Sequence, residues 1–156
     1  MNTPNLSDLI AACGITRTAE DITTENFSAP HELVLDCTYK AFPFVRDLAE
    51  LMDLKDEITE EGYRHANIWQ LLHFGSKHPM VGTVLGMGTT YQRHMGWYDR
   101  LGTHSMYHET VPAIHSCPEF KLVFLYDWPC VRWHRSFVFD RLLCSAPVAM
   151  LGVRYT

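Results

Sequence analysis

The part of the chain richest in potentially reactive side chains is THSMYHETVPAIHSC, residues 103–117, with three histidines, a glutamate and a cysteine. His104 and His108 are four residues apart, a spacing that places two imidazoles on one face of either a helix or a strand. Two imidazoles on one face can share a zinc ion. Pro112 predicts a turn that separates His115 from this pair. The stretch is therefore not a complete metal-binding motif by itself.

Further zinc ligands could come from the next predicted strand, where Cys130 and His134 are again four residues apart. A hydrolytic zinc site keeps three protein ligands and leaves one position open for water. The sequence has no HExxH and no CxxC spacing, and the pattern is more typical of partly buried sheet histidines. We therefore expect no cofactor, with zinc as the alternative, and assign no catalytic residue. The candidate metal ligands are His104, His108, His115 and His134.

The glycines of VGTVLGMGTTY, at positions 82, 86 and 88, could indicate a phosphate-binding loop. A P-loop requires a Lys-Ser/Thr pair, and the dinucleotide fingerprint requires a third glycine where this chain has Tyr91. Neither requirement is met. The three glycines instead predict bulges or turns in a twisted sheet.

The clearest patterned surface is a row of carboxylates in the helix predicted to begin at Pro43. Steps of three and four residues place these carboxylates along one helical face. Three interpretations are open: a solvated face, a docking surface for a basic partner, or a contact with the basic strands of the same chain. The row consists of Glu50, Asp53, Glu57, Glu60 and Glu61.

Charge is distributed unevenly along the chain, with a net −9 in residues 1–61 and +4 in residues 62–156. Such asymmetry can indicate a charged partner. Arginines of the second segment alternate with aromatic residues, as in proteins that hold single-stranded nucleic acid. A net charge of +4 on this segment attracts a polyanion only weakly, so we do not expect nucleic-acid binding.

Four helices are predicted in the first half of the chain from apolar residues spaced three and four apart. Gly14 is a suitable residue to end the first helix. The second is ambiguous, because a strand through ELVLDCTY competes with it. The predicted helices cover residues 5–14, residues 30–41, the segment from Pro43 that carries the acidic row, and residues 60–75.

After Pro79 the sequence becomes rich in β-branched and aromatic residues. EFKLVFLYDW and VRWHRSFVFD both alternate with a period of two, and the DWPC between them predicts a tight hairpin turn. PVAMLGVRY predicts a last strand. The expected fold is α+β, with N-terminal helices packed on a C-terminal antiparallel sheet of about five or six strands.

The 156 residues, of which 47% are apolar, predict a single domain. Its first part, 1–78, is expected to be mainly helical and acidic, and 79–156 mainly β and mildly basic. Five scattered cysteines do not form a disulfide framework, which favours the cytoplasm. No apolar run is long enough for a membrane span, and the N-terminus lacks the basic residues of a secretory signal.

These features favour a small cytoplasmic protein-binding module over an enzyme. Such a module, acting as a stoichiometric inhibitor or adaptor, would dock a basic partner through the acidic helix face. That partner could itself be a nucleic-acid-binding protein, because a row of carboxylates resembles a row of phosphates. The alternative is a zinc-type hydrolase built on the histidine cluster. The aromatic strands could also expose an edge that pairs with a second copy, so a homodimer is a further possibility.

Overall fold

The computed structural model describes residues 5–20, 22–27, 30, 32–44, 48–78, 82–89, 91–99, 102–121, 130–141 and 148–155. It describes the backbone alone for residues 44, 48–52, 91–99, 102–110, 117–121, 130–141 and 148. The helices are α1 (Leu6–Ala12), α2 (Leu48–Glu60) and α3 (Ile68–Lys77). The strands are β1 (Arg17–Thr18), β2 (Thr38–Phe44), β3 (Arg64–His65), β4 (Gly82–Leu85), β5 (Tyr91–Asp99), β6 (Gly102–Lys121), β7 (Cys130–Arg141) and β8 (Val148–Arg154).

The described strands form one mixed sheet. Six of them follow the order β1–β7–β6–β4–β8–β2, while β3 pairs with β8 and β5 pairs with β6. The β1–β7 and β4–β8 pairs are parallel, and the other described pairs are antiparallel. The predicted α+β class is confirmed.

The predicted arrangement of helices before a purely antiparallel sheet is wrong. β1 and β2 lie between α1 and α2 along the chain, and β3 lies between α2 and α3, so the sheet draws strands from both parts of the chain. The parallel β4–β8 pair forms because β8 enters the middle of the sheet, between β4 and β2. Sheets with parallel strands are normally covered on both faces, and both faces of this sheet are covered.

Helices cover both faces of the sheet, and consecutive residues of each strand point to opposite sides. Leu151 and Val153 of β8 pack in one core cluster with residues of α1 and α3. Met150, one residue before Leu151 and therefore on the opposite face, packs in a second cluster with Leu54 and Ile58 of α2. The sheet is therefore the middle layer of three, with α1 and α3 on one side and α2 on the other.

Side-chain caps determine where α1 and α3 begin. The Asn5 side chain accepts a hydrogen bond from the N–H of Asp8 at 2.8 Å, and Gly14, with φ +65°, follows the end of α1 as predicted. In α3, Asn67 and Gln70 form a capping box, in which each side chain bonds the other residue's backbone N–H. The predicted helix over 60–75 is therefore too early, since the chain first forms β3 and α3 begins only at Ile68.

The segment around Pro43 differs from its sequence-based prediction. A helix over 30–41 is wrong, and the competing strand over 32–39 overlaps β2, which covers Thr38–Phe44, only at Thr38 and Tyr39. Pro43 lies within β2, opposite Ala149, rather than at the start of α2. β2 is an edge of the strand path, and edge strands are where proline is tolerated within a sheet.

Pro112 does not make the predicted turn, because β6 runs through it without a break. On one side of β6, the β4 pairing ends at Ala113 and the β5 pairing begins at Thr110. Pro112 lies in the gap between these partners, where a missing N–H costs no strand pairing. Its carbonyl still accepts a hydrogen bond from the N–H of Gly86 at 3.0 Å.

The glycine-rich segment forms β4 and the turn after it, as the sequence predicted, and the next described element is β5. Gly88 is required by a close approach of two backbone segments. A Cβ atom on Gly88 would lie 2.5 Å from the His65 carbonyl oxygen and 2.8 Å from that of Ala66. Among the described residues, no helix is both long and apolar enough to cross a membrane.

Candidate functional site

The acidic face, defined as Glu50, Asp53, Glu57, Glu60 and Glu61, lies along α2 and the residue after it. Leu54 and Ile58 are 8% and 0% exposed and pack against the sheet. Asp53 and Glu57, each adjacent to one of them, are exposed, as are Glu60 and Glu61. The structure describes only the backbone of Glu50. Burial of the apolar side of α2 thus directs the described carboxylates to solvent.

In the described part of the chain, the acidic face makes one ion pair, and it is with β2 of the acidic segment rather than with the basic segment 62–156. The Lys40 ammonium lies 3.3 Å from Glu61 Oε2, and both side chains are about half exposed. The Lys40 ammonium also lies over the ring of Phe42, 4.7 Å from its centroid. Glu61 therefore has an intramolecular ion-pair partner, whereas Asp53, Glu57 and Glu60 have no described cationic partner.

The candidate metal ligands fall in two separate parts of β6 and its partners. His104 is opposite Trp97, and His108 is opposite Arg93, both in the part of β6 that pairs with β5. His134 of β7 is opposite Cys117, in the part of β6 that pairs with β7. Seven residues of strand, about 23 Å, separate His108 from His115.

His115 is the only candidate metal ligand whose side chain the structure describes. It is partly buried, and its Nδ1 lies 2.8 Å from the Thr83 hydroxyl oxygen on the neighbouring strand. Among the side chains that the structure describes, no three metal-ligating groups converge. The register therefore brings His134 to Cys117, and Cys130 to Lys121, but leaves His104 and His108 at the opposite end of β6.

A hydrogen-bonded group that the sequence did not indicate joins β2 to α3. The Tyr39 hydroxyl donates to the Leu35 carbonyl at 2.8 Å and lies 3.0 Å from Nδ1 of His73. A phenol has one proton and a carbonyl can only accept, so Nδ1 of His73 must donate to Tyr39. This tautomer leaves the lone pair of the neutral ring on Nε2, which bonds to no described residue.

The three titratable groups around this contact all favour their neutral forms. Burial lowers the pKa of His73, and the nearby Lys77 lowers it further. Burial also raises the pKa of Tyr39 and that of the Cys37 thiol. Because a reactive cysteine requires the thiolate, this group is not an activated nucleophile. It acts as a neutral hydrogen-bonded link between the segment entering β2 and α3.

Gln70 of α3 forms a second hydrogen-bonded link between α3 and the segment that enters β2. Its side chain is 2% exposed, and its Nε2 donates to the Val34 carbonyl at 3.0 Å and to the Tyr155 hydroxyl at 3.2 Å. Its Oε1 accepts from the N–H of Asn67. The only sequence signal for this residue was the Asn-x-x-Gln spacing of a capping box.

We expect the stability of the protein to fall as the pH drops from about 7.5 to about 5, partly through His65 and His73. Burial lowers the pKa of both imidazoles. The unfolded chain therefore binds more protons than the folded one near pH 6, so stability is lost below the unfolded pKa of about 6.5. Urea unfolding at several pH values measures this loss.

The double variant His65→Gln, His73→Gln should be less stable at neutral pH but should show a smaller change in urea midpoint between the two pH values. His78→Gln, which replaces an exposed histidine just after α3, is the control. An unchanged pH dependence in the double variant would mean that other groups cause the loss.

No protein-family model, curated protein or solved structure matches this chain.

Proposed function

We propose that this protein is a small binding module that docks a partner with a basic surface through the acidic face of α2, as a stoichiometric inhibitor or adaptor. The observation that carries the proposal is the burial of Leu54 and Ile58, which fixes the rotation of α2 about its axis. A fixed helix presents its carboxylates in a constant arrangement, and a recognition surface requires such an arrangement.

The electrostatics of α2 support the proposal. Like charges three and four residues apart on a helix each destabilise it by about 0.2–0.5 kcal/mol. In the described part of the chain, only Glu61 gains a compensating ion pair, with Lys40. A basic partner would relieve the remaining repulsion, and it would be attracted before contact because the charges are exposed.

The partner class follows from the spacing of the charges. Carboxylates repeated along a helix complement a surface with regularly spaced Lys or Arg, such as one that binds nucleic acid. We infer a cytoplasmic location, which the odd number and scattered spacing of the five cysteines support. The proposal assigns no catalysis and no cofactor.

The test is to reverse the charge of the exposed carboxylates on α2 in the variant Asp53→Lys, Glu57→Lys, Glu60→Lys. The probe is a fluorescent helical peptide with Arg or Lys at every third or fourth residue, and the readout is its anisotropy in titrations at low and high salt. Wild-type binding should weaken strongly with salt. The triple variant should bind at least about tenfold more weakly, equivalent to about 1.4 kcal/mol.

The matched control is Glu20→Lys, Glu25→Lys, Glu32→Lys, which makes the same change in net charge at exposed positions outside α2. It should change the peptide affinity by less than about threefold. Equal loss in both triple variants would show that net charge alone attracts the peptide. Full binding by the α2 variant would show that the acidic face is only a solvated surface.

A further inference from the structure

β5 forms an open edge of the sheet over its full length. Each residue from Tyr91 to Asp99 is opposite a residue of β6, between Thr110 and Gly102. Within the described residues, no strand pairs with the other side of β5. Every second residue of β5 therefore presents its backbone N–H and C=O away from β6, which is the usual template for strand addition.

Two other edges, those of β2 and β7, are less suited to adding a strand. β2 carries Pro43, which has no N–H, and an exposed Lys40, and both features discourage strand addition. The outer side of β7 is occupied in its middle by β1, at Ser136 and Phe137. β5 has neither proline nor lysine, and no described strand interrupts its outer side.

We propose that β5 pairs with β5 of a second copy of this chain, antiparallel, about a twofold axis at Gly96. This register places Arg93 of each copy opposite Asp99 of the other, because both residues lie three positions from Gly96. The dimer thus gains two opposite-charge cross-strand pairs from a single strand. The proposal is independent of the docking function of the acidic face.

Backbone geometry is consistent with this register. In an antiparallel pair, residues that present their N–H and C=O to the partner must meet residues that do the same. A twofold axis through one residue satisfies this rule along the whole strand, because facing positions are always an even number of residues apart. A parallel pair with Gly96 opposite Gly96 would instead place Arg93 opposite Arg93, which is unfavourable. The antiparallel dimer is also closed by symmetry, so it does not propagate into a fibre.

The test exploits the symmetry of the two charge pairs. The single variants Arg93→Asp and Asp99→Arg each place like charges opposite one another in a homodimer. Each should weaken dimerisation at least about tenfold in sedimentation equilibrium. When the two variants are mixed in equal amounts, both charge pairs become favourable again. The mixture should therefore form a heterodimer with an affinity within about threefold of the wild type.

The combined variant Arg93→Asp, Asp99→Arg should also recover the homodimer, which separates a charge effect from a folding defect. Arg17→Asp and Glu20→Arg, at exposed positions away from β5, are the controls and should leave dimerisation unchanged. A wild-type protein that stays monomeric at high concentration overturns the proposal. A dimer that tolerates both single variants, or a mixture that fails to associate, overturns it equally.

Discussion

Replacement of Gly88 by alanine is expected to destabilise the protein by about 3 kcal/mol or more. The new Cβ atom would lie 2.5 Å from the His65 carbonyl oxygen and 2.8 Å from that of Ala66. Both atoms belong to the backbone, so no side chain can rotate away to make room. A shift of the turn would stretch the 2.8 Å hydrogen bond from the Gly88 N–H to the Ala66 carbonyl. Urea unfolding followed by tryptophan fluorescence measures the loss.

Gly62→Ala is the matched control for this prediction. Gly62 has a φ of +88°, but a Cβ atom there would meet nothing within 4 Å. Its cost should therefore be backbone strain alone, about 1 kcal/mol. If Gly88→Ala cost no more than Gly62→Ala, the segment after β4 would not be held against Ala66 as the structure shows.

Truncation of Ile58 to alanine should have the second largest effect, a loss of about 3 kcal/mol in the free energy of unfolding. Ile58 is 0% exposed and packs with Leu85, Val111 and Met150 in the core between α2 and the sheet. The loss combines the transfer energy of the deleted methyl and methylene groups with the cavity that remains. Chemical denaturation with circular dichroism detection at neutral pH gives the value.

Glu57→Ala, at the adjacent and exposed position, should change stability by no more than about 0.5 kcal/mol. The contrast between residues 57 and 58 tests the rotation of α2 directly. Similar effects at both positions would contradict that rotation, and they would also remove the structural basis for presenting the acidic face to a partner.

The sequence predicted an element well where its signals were local and agreed with one another. The helix predicted over 5–14 corresponds to α1, with Gly14 just after its end, and the period-two alternation of residues 131–140 corresponds to β7. It failed where pairing between distant segments overrides local preference. β2 contains Pro43 and reads as part of a helix, but it is a strand because β8 supplies its partner. β3 is only two residues long and has no periodicity to detect.

The residues of the candidate site, and the hydrogen-bonded group near it that the sequence did not indicate, differ in the same respect. Periodicity was sufficient to predict a row of carboxylates along one helix, because the row lies within α2 and the residue that follows it. The contacts of Tyr39 with His73, and of Gln70 with Val34 and Tyr155, join residues that are 34, 36 and 85 positions apart. Such contacts depend on the packing of α3 against the sheet, and no pattern within either segment encodes that packing.

The central place of β8 has a consequence for how the chain folds. β2, β3 and β4 all pair with this strand, and Thr38 pairs with Arg154. Loops this long must close before the pairings can contribute, so folding should be slow for a chain of this length. On the ribosome, β2 and β3 must wait for residues 148–154 with their edges open, when they are most prone to aggregation. A chaperone that shields strand edges should therefore raise the folding yield more than one that accelerates local steps.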